Sequence, residues 1–152
     1  MRFLKSALSA LILTLSAPCL AQAEPQDIVE ATITDLKTGD ASIVIENLIL
    51  QAPLISVGPT KKTNLINTLS TFLSSYGAVE GAELISTHEI ASRLLTQTHI
   101  IFLEKYALKL ELEFYRSKDG WTITEFNFQD DLDELLGAQF MENLQKSLEP
   151  KQ

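Results

Sequence analysis

The chain of 152 residues contains one cysteine, one tryptophan, two histidines and only 12 basic residues against 20 acidic ones. Each scarcity excludes something. A lone thiol, Cys19, cannot close an internal disulfide, and no CxxC pair is available for redox chemistry or metal ligation. A formal charge of −8 repels phosphate backbones, and the nearest approach to a basic cluster is the pair Lys61-Lys62, so nucleic acid is not an expected partner. No phosphate-cradling glycine loop, Walker motif or Ser-His-Asp pattern occurs. Long apolar runs are also scarce. The one that stands out, Leu8 to Leu15, is too short for a bilayer, which a helix crosses with about 20 residues.

That run lies in "MRFLKSALSALILTLSAPCLAQAEPQ". Arg2 and Lys5 form a basic start, the apolar stretch follows, and Ala21-Gln22-Ala23 is a small-x-small site. This is the three-part pattern of a secretory signal peptide. Cys19 follows Pro18, where a lipid-attachment signal wants a small, flexible residue, so cleavage after Ala23 is preferred to lipidation. The expected organisation is a cleaved signal over 1–23 and a single domain over 24–152, periplasmic or secreted. Cleavage removes Arg2, Lys5 and Cys19, leaving ten basic residues against all twenty acidic ones, a formal charge of −10. The mature chain then has no thiol, and no stable membrane insertion is expected. Its stability must come from apolar burial within one modest core.

Hydrophobic spacing supplies the elements. Val29, Ile33 and Leu36 share a helical stripe that stops at Gly39. Asp40 can cap a second helix carrying Ile45, Leu48 and Ile49, although "ASIVIENLIL" is β-branched enough to be a strand. Two prolines and a glycine in "QAPLISVGPT" break the pattern. Leu65, Leu69, Phe72 and Tyr76 then mark a third helix, with Thr60 or Thr63 as its cap and Gly77 at its end. Its broad apolar face predicts packing on a sheet. From Glu83 the period changes to two. Strands are expected over 84–92 and 94–103, and Tyr106, Leu108, Leu110, Leu112 and Phe114 alternate without fault against Lys109, Glu111, Glu113 and Tyr115. Asp119-Gly120 marks a hairpin. In the last strand Trp121 and Ile123 are odd, while Phe126 and Phe128 are even. One face can hold all four only if an extra residue intervenes, so a β-bulge is expected at Thr124-Glu125. The tail repeats Leu132, Leu136, Phe140, Leu144 and Leu148 at helical spacing.

The fold class is therefore α+β: N-terminal helices packed on a curved antiparallel sheet of about four strands, with a C-terminal helix. Three helices followed by antiparallel strands and a tryptophan-containing hairpin resemble the nuclear transport factor 2-like (NTF2-like), cystatin-like superfamily of α+β cones. Thr38-Gly39-Asp40 between the first helices and "FYRSKDGWTITEFNF" at 114–128 carry the resemblance. "DDLDELL" after them is similar to the ending of small exported bacterial relatives. The resemblance implies a pocket between helices and concave sheet, and dimers built on the sheet's outer face. It implies no single chemistry, because the superfamily spans isomerases, dehydratases, cyclases and non-catalytic binders.

The clean strand offers no base: its apolar row holds no carboxylate or histidine, and Glu111 and Glu113 point the other way. His88 and His99 are the candidate catalytic residues, each flanked on its own face by apolar neighbours: Leu84 and Ile90 for His88, Ile101 and Leu103 for His99. A turn that resets strand parity would put both on one face. Glu83 or Glu89 could orient either ring. Tyr106 and Tyr76 are the candidate pocket rim. Asp130, Asp131, Asp133 and Glu134 lack the glycine and closing glutamate of a calcium loop; they suit a helix N-terminus instead. No metal and no cofactor are expected. The reading favours an exported binding or accessory domain with an apolar pocket or core and leaves catalysis undecided. The rivals are an isomerase- or dehydratase-like enzyme using a strand histidine, and an interaction module. Partners to expect are a small apolar ligand or a second copy, met through the outer sheet face or the helix at 138–148.

Overall fold

The computed structural model of the chain describes residues 23–133 and 135–137. Most of the expected signal peptide, and the helix expected over 138–148, lie outside the described residues.

Helix α1, Pro25–Lys37, opens on a capping box in which Glu24 and Asp27 each satisfy the other's backbone N–H. It ends at Thr38 and Gly39, and Gly39 takes φ +75°. Asp40 then caps α2, Ala41–Leu50, its Oδ1 accepting from the N–H groups of Ser42 at 2.8 Å and Ile43 at 3.4 Å. The cap decides helix over strand in a β-branched segment, and the burial follows: Ala41, Val44, Ile45 and Leu48 face inward at helical spacing while Ile43 and Leu50 stay exposed. Helix α3 runs Pro59–Tyr76 from an N-cap at Gly58. Neither Thr60 nor Thr63 caps it. Pro59 at the first helical position needs no N–H and is preset to helical φ, so the helix starts earlier than the threonines suggest. Gly77 ends it at φ +92°, and a Cβ there would collide with the Glu104 side chain.

Four antiparallel strands follow in the order β1 (Val79–Ile90), β2 (Leu94–Leu103), β3 (Ala107–Ser117) and β4 (Gly120–Gln129), and neighbours in sequence are neighbours in the sheet. β1 begins at Val79, which lies opposite Leu103, and not at residue 84. Gly81 and a register shift beside it interrupt the alternation that would have marked its start. The hairpin turn is Lys118-Asp119, one residue earlier than Asp119-Gly120, with Gly120 taking φ +114° immediately after it. The β1–β2 turn is less comfortable. Ala91 and Ser92 both adopt left-handed φ values of 52° and 58°, a conformation that favours glycine or asparagine.

The expected bulge in β4 is present. Glu113 lies opposite Glu125 but Phe114 opposite Ile123, which leaves Thr124 without a partner. Ile123, Phe126 and Phe128 consequently share the face of Phe114, Leu112 and Leu110. A second bulge leaves Ile85 of β1 unpaired, between Leu84 opposite His99 and Ser86 opposite Thr98. These extra residues add twist and curve the sheet.

The helices cover the concave face, where Leu108, Leu110, Leu112 and Phe114 are fully buried. They join one cluster with Leu36 of α1, Val44 and Ile45 of α2, and Leu69 of α3. β4 is an edge strand, and α2 is stitched to it. The Gln51 carbonyl accepts from Thr122 Oγ1 at 2.9 Å and from the Ile123 N–H at 3.0 Å.

Candidate functional site

Cross-strand register assigns each histidine its face. His99 lies opposite Leu110 and therefore points to the helix side, where it is 3 % exposed. His88 lies opposite Thr96 on the outer face and is exposed. The two do not share a face. Leu84 is not on the side of His88 either, because the unpaired Ile85 switches parity between them. That bulge falls in a strand largely exposed on both sides, so no hydrophobic pattern announces it in the sequence.

His99 is the one buried histidine. Its Nε2 lies 3.4 Å from Gln97 Oε1, two residues along the same strand. The core around it disfavours the charged ring, and burial pushes its pKa below the ordinary histidine value. A general base needs a positioned proton to take and a group to hold the resulting charge. The amide of Gln97 can orient the ring but carries no charge. Glu83 lies opposite Ile100 on the outer face, and Glu89 lies opposite Leu95 at the exposed end of β1. Neither hydrogen-bonds to His99.

A neutral buried histidine makes stability depend on pH with a fixed sign. The unfolded chain titrates near the ordinary value of about 6.5, while the folded chain binds its proton only at lower pH. Stability is therefore complete above about pH 6.5, falls as pH drops toward the folded pKa, and levels below it. Urea unfolding between pH 8 and 5 should show this decline in the wild type and lose it in His99→Leu. An identical pH profile in the two proteins would remove His99 from the core.

Tyr76 and Tyr106 do come together, with ring centroids 5.1 Å apart, and Phe72 stacks on Tyr76 at 6.2 Å. The Tyr76 hydroxyl donates to Asp130 Oδ2 at 2.8 Å. That hydrogen bond first, then loss of water contact and the nearby negative charge, hold the phenol above its ordinary pKa. The trio ties the end of α3 to the start of β3 and the residue after β4. Sequence reasoning missed Asp130 as the partner, since 54 residues separate it from Tyr76 and its place in an acidic run suggested only helix capping. Asp131 Oδ1 accepts from the Asp133 N–H at 3.0 Å, a bond local to that run. Among the described residues no group of three or more His, Cys, Asp or Glu is placed to hold a metal.

Among the described residues the surface carries depressions of about 200 to 420 Å³. One lies between α1 and α2 beside Asp27, Asp35 and Asn47; another, of about 420 Å³, lies beside Leu50, Leu54 and Trp121. None is lined by His88, His99, Tyr76 or Tyr106, and none opens onto the row Leu108 to Phe114.

Helices followed by this curved four-stranded sheet define the class: the fold is that of NTF2-like α+β domains. A Campylobacter jejuni protein described as an NTF2-like transpeptidase superposes with a TM-score of 0.50 at 11% identity, over 66% of this chain and 97% of its own. A Nostoc punctiforme domain of unknown function with a cystatin-like fold gives 0.46 at 12% identity, over 80% and 83%. A Thiobacillus denitrificans protein described as a calcium/calmodulin-dependent protein kinase type II association domain gives 0.44 at 8%, over 70% and 94%. No protein-family model and no curated protein sequence matches the chain. At 11% identity the Campylobacter jejuni likeness speaks for the fold alone.

Proposed function

We propose that the chain is an exported, non-catalytic binding or accessory domain that acts through its surface. The observation that carries this reading is the filling of the space between helices and sheet. Leu108, Leu110, Leu112 and Phe114 occupy it from below and Val44, Ile45 and Leu69 from above. Among the described residues the one buried titratable side chain there is His99, held against an amide. Close packing of this kind leaves a substrate carbonyl no place beside the ring. The N-terminal basic–apolar–small pattern supports export to the periplasm or beyond, and the acidic balance suits a soluble life there. The isomerase-like alternative needs His99 to reach solvent and a charged partner, and the geometry supplies neither.

Two measurements on the chain 24–152 test the reading. Titration with N-phenyl-1-naphthylamine, an apolar fluorophore, should give no saturable one-to-one enhancement. Imidazole carbon–proton NMR spectra should show the His99 ring unmoved by small carbonyl compounds at millimolar concentration. A stoichiometric dye site, or a His99 resonance that shifts with a carbonyl ligand, would overturn it.

A further inference from the structure

The outer face of the sheet has no helix over it among the described residues, and its side chains fall into three zones. At the β1–β2 tip, Ile90, Leu94 and Tyr115 stand in one cross-strand row, with Ile90 60 % and Leu94 45 % exposed. At the opposite end Phe102, 38 % exposed, and the half-buried Ala107 form a second, smaller apolar zone, beside which Ile100 is already buried at 7 %. Between them lie Glu111, Glu113 and Glu125, with Glu83 at the margin. Glu113 and Glu125 oppose each other directly in register, an arrangement that destabilises a sheet. Among the described residues neither has an ion-pair partner; Lys109, the cation of this zone, is held by Glu111 at 3.6 Å.

We infer that this face docks a cationic polypeptide partner with apolar side chains on either side of its positive charge. The inference rests on the surface-binding reading above and gives it a location and a chemistry. Complementarity argues for the sign of the partner, because a positive group between Glu113 and Glu125 would relieve a repulsion already built into the strand pair. It also argues against a second copy, since sheet-to-sheet pairing would set one acidic zone on another. Size argues for a polypeptide. Leu94 and Phe102 are eight residues apart on one strand, about 26 Å at 3.3 Å per residue, beyond the reach of a small polyamine. A face of this extent belongs with small, transient interfaces, so binding should be weak and salt-sensitive.

The test uses the chain 24–152 and an 18-residue amphipathic peptide of lysine and leucine. Two charge-matched variants are compared: Glu113→Gln/Glu125→Gln on the face, and Glu30→Gln/Glu46→Gln on the helices. Isothermal titration at 50 mM salt should show the face variant binding at least tenfold more weakly than wild type, and the helix variant within about twofold of it. Amide shifts on adding peptide should cluster on β2 and β3. The face variant removes a repulsion, so its melting temperature should equal or exceed that of wild type, which separates lost binding from lost folding. Equal weakening in both variants, shifts confined to the helices, or no binding by wild type would overturn the docking surface and leave the non-catalytic reading standing. A dimer in light scattering that Phe102→Lys dissolves would give the face to a second copy instead.

Discussion

Replacing Phe114 with alanine should cost the fold about 3–5 kcal/mol. The ring is fully buried, lies between Leu95 and Ile123 in register, and belongs to the core cluster that also holds Val44 and Ile45 of α2. Truncation leaves a cavity that neighbours on three elements must fill without moving their backbones. Domains of this size hold only about 5–15 kcal/mol in total, so the variant should unfold at much lower urea with an unchanged slope. Ile90→Ala, at the exposed tip of β1, should stay within about 0.5 kcal/mol of wild type. The contrast is what matters. A loss below about 1 kcal/mol at Phe114 would mean that the concave row is not the core.

Introducing a carboxylate into the same row should be as damaging. Leu112 lies between Gln97 and Phe126 in register and is fully buried. In Leu112→Asp the one amide nearby cannot replace the water that an ionised carboxylate loses, and an unpaired buried charge costs about 3–5 kcal/mol. Burial raises the folded pKa of such a group above its ordinary value of about 3.9. The sign of the pH dependence follows. The variant's stability relative to wild type is best below about pH 4, where the group is neutral in both states, and declines as pH rises through the folded pKa. Urea unfolding of both proteins at pH 4 and pH 7 would show it. Equal stability at pH 7 would mean that water reaches the row, and that the concave face could support proton chemistry.

These two substitutions probe what was most legible in the sequence. Leu108 to Phe114 alternate cleanly because β3 is a central strand with one face dry and one wet. The Thr124 bulge was readable because four large apolar residues straddle it with incompatible parity, and burial demands that they agree. The corresponding bulge at Ile85 was hidden. Its strand lies at an edge where little is buried, so slipping by one residue disturbs no apolar pattern. The orientation of the histidines depended on that slip, and with it the separation of His88 from His99. α2 was ambiguous by composition, and a single side chain, Asp40, decided it by capping. The contact of Tyr76 with Asp130 was beyond reach, because nothing local to either residue encodes a partner 54 residues away. The outer zones of charge and apolar surface were visible as a row, but their division into two ends and a middle needed the strand register.

The bulge at Thr124 has a consequence for the protein at high concentration. An edge strand ordinarily offers a free ladder of N–H and C=O groups on which another chain can build. Here β4 is kinked at Thr124 and its Ile123 N–H is already taken by Gln51, while β1 is broken at Ile85. Among the described residues neither border presents an uninterrupted template. Interruptions of this kind disfavour strand-by-strand growth on the folded molecule at either margin.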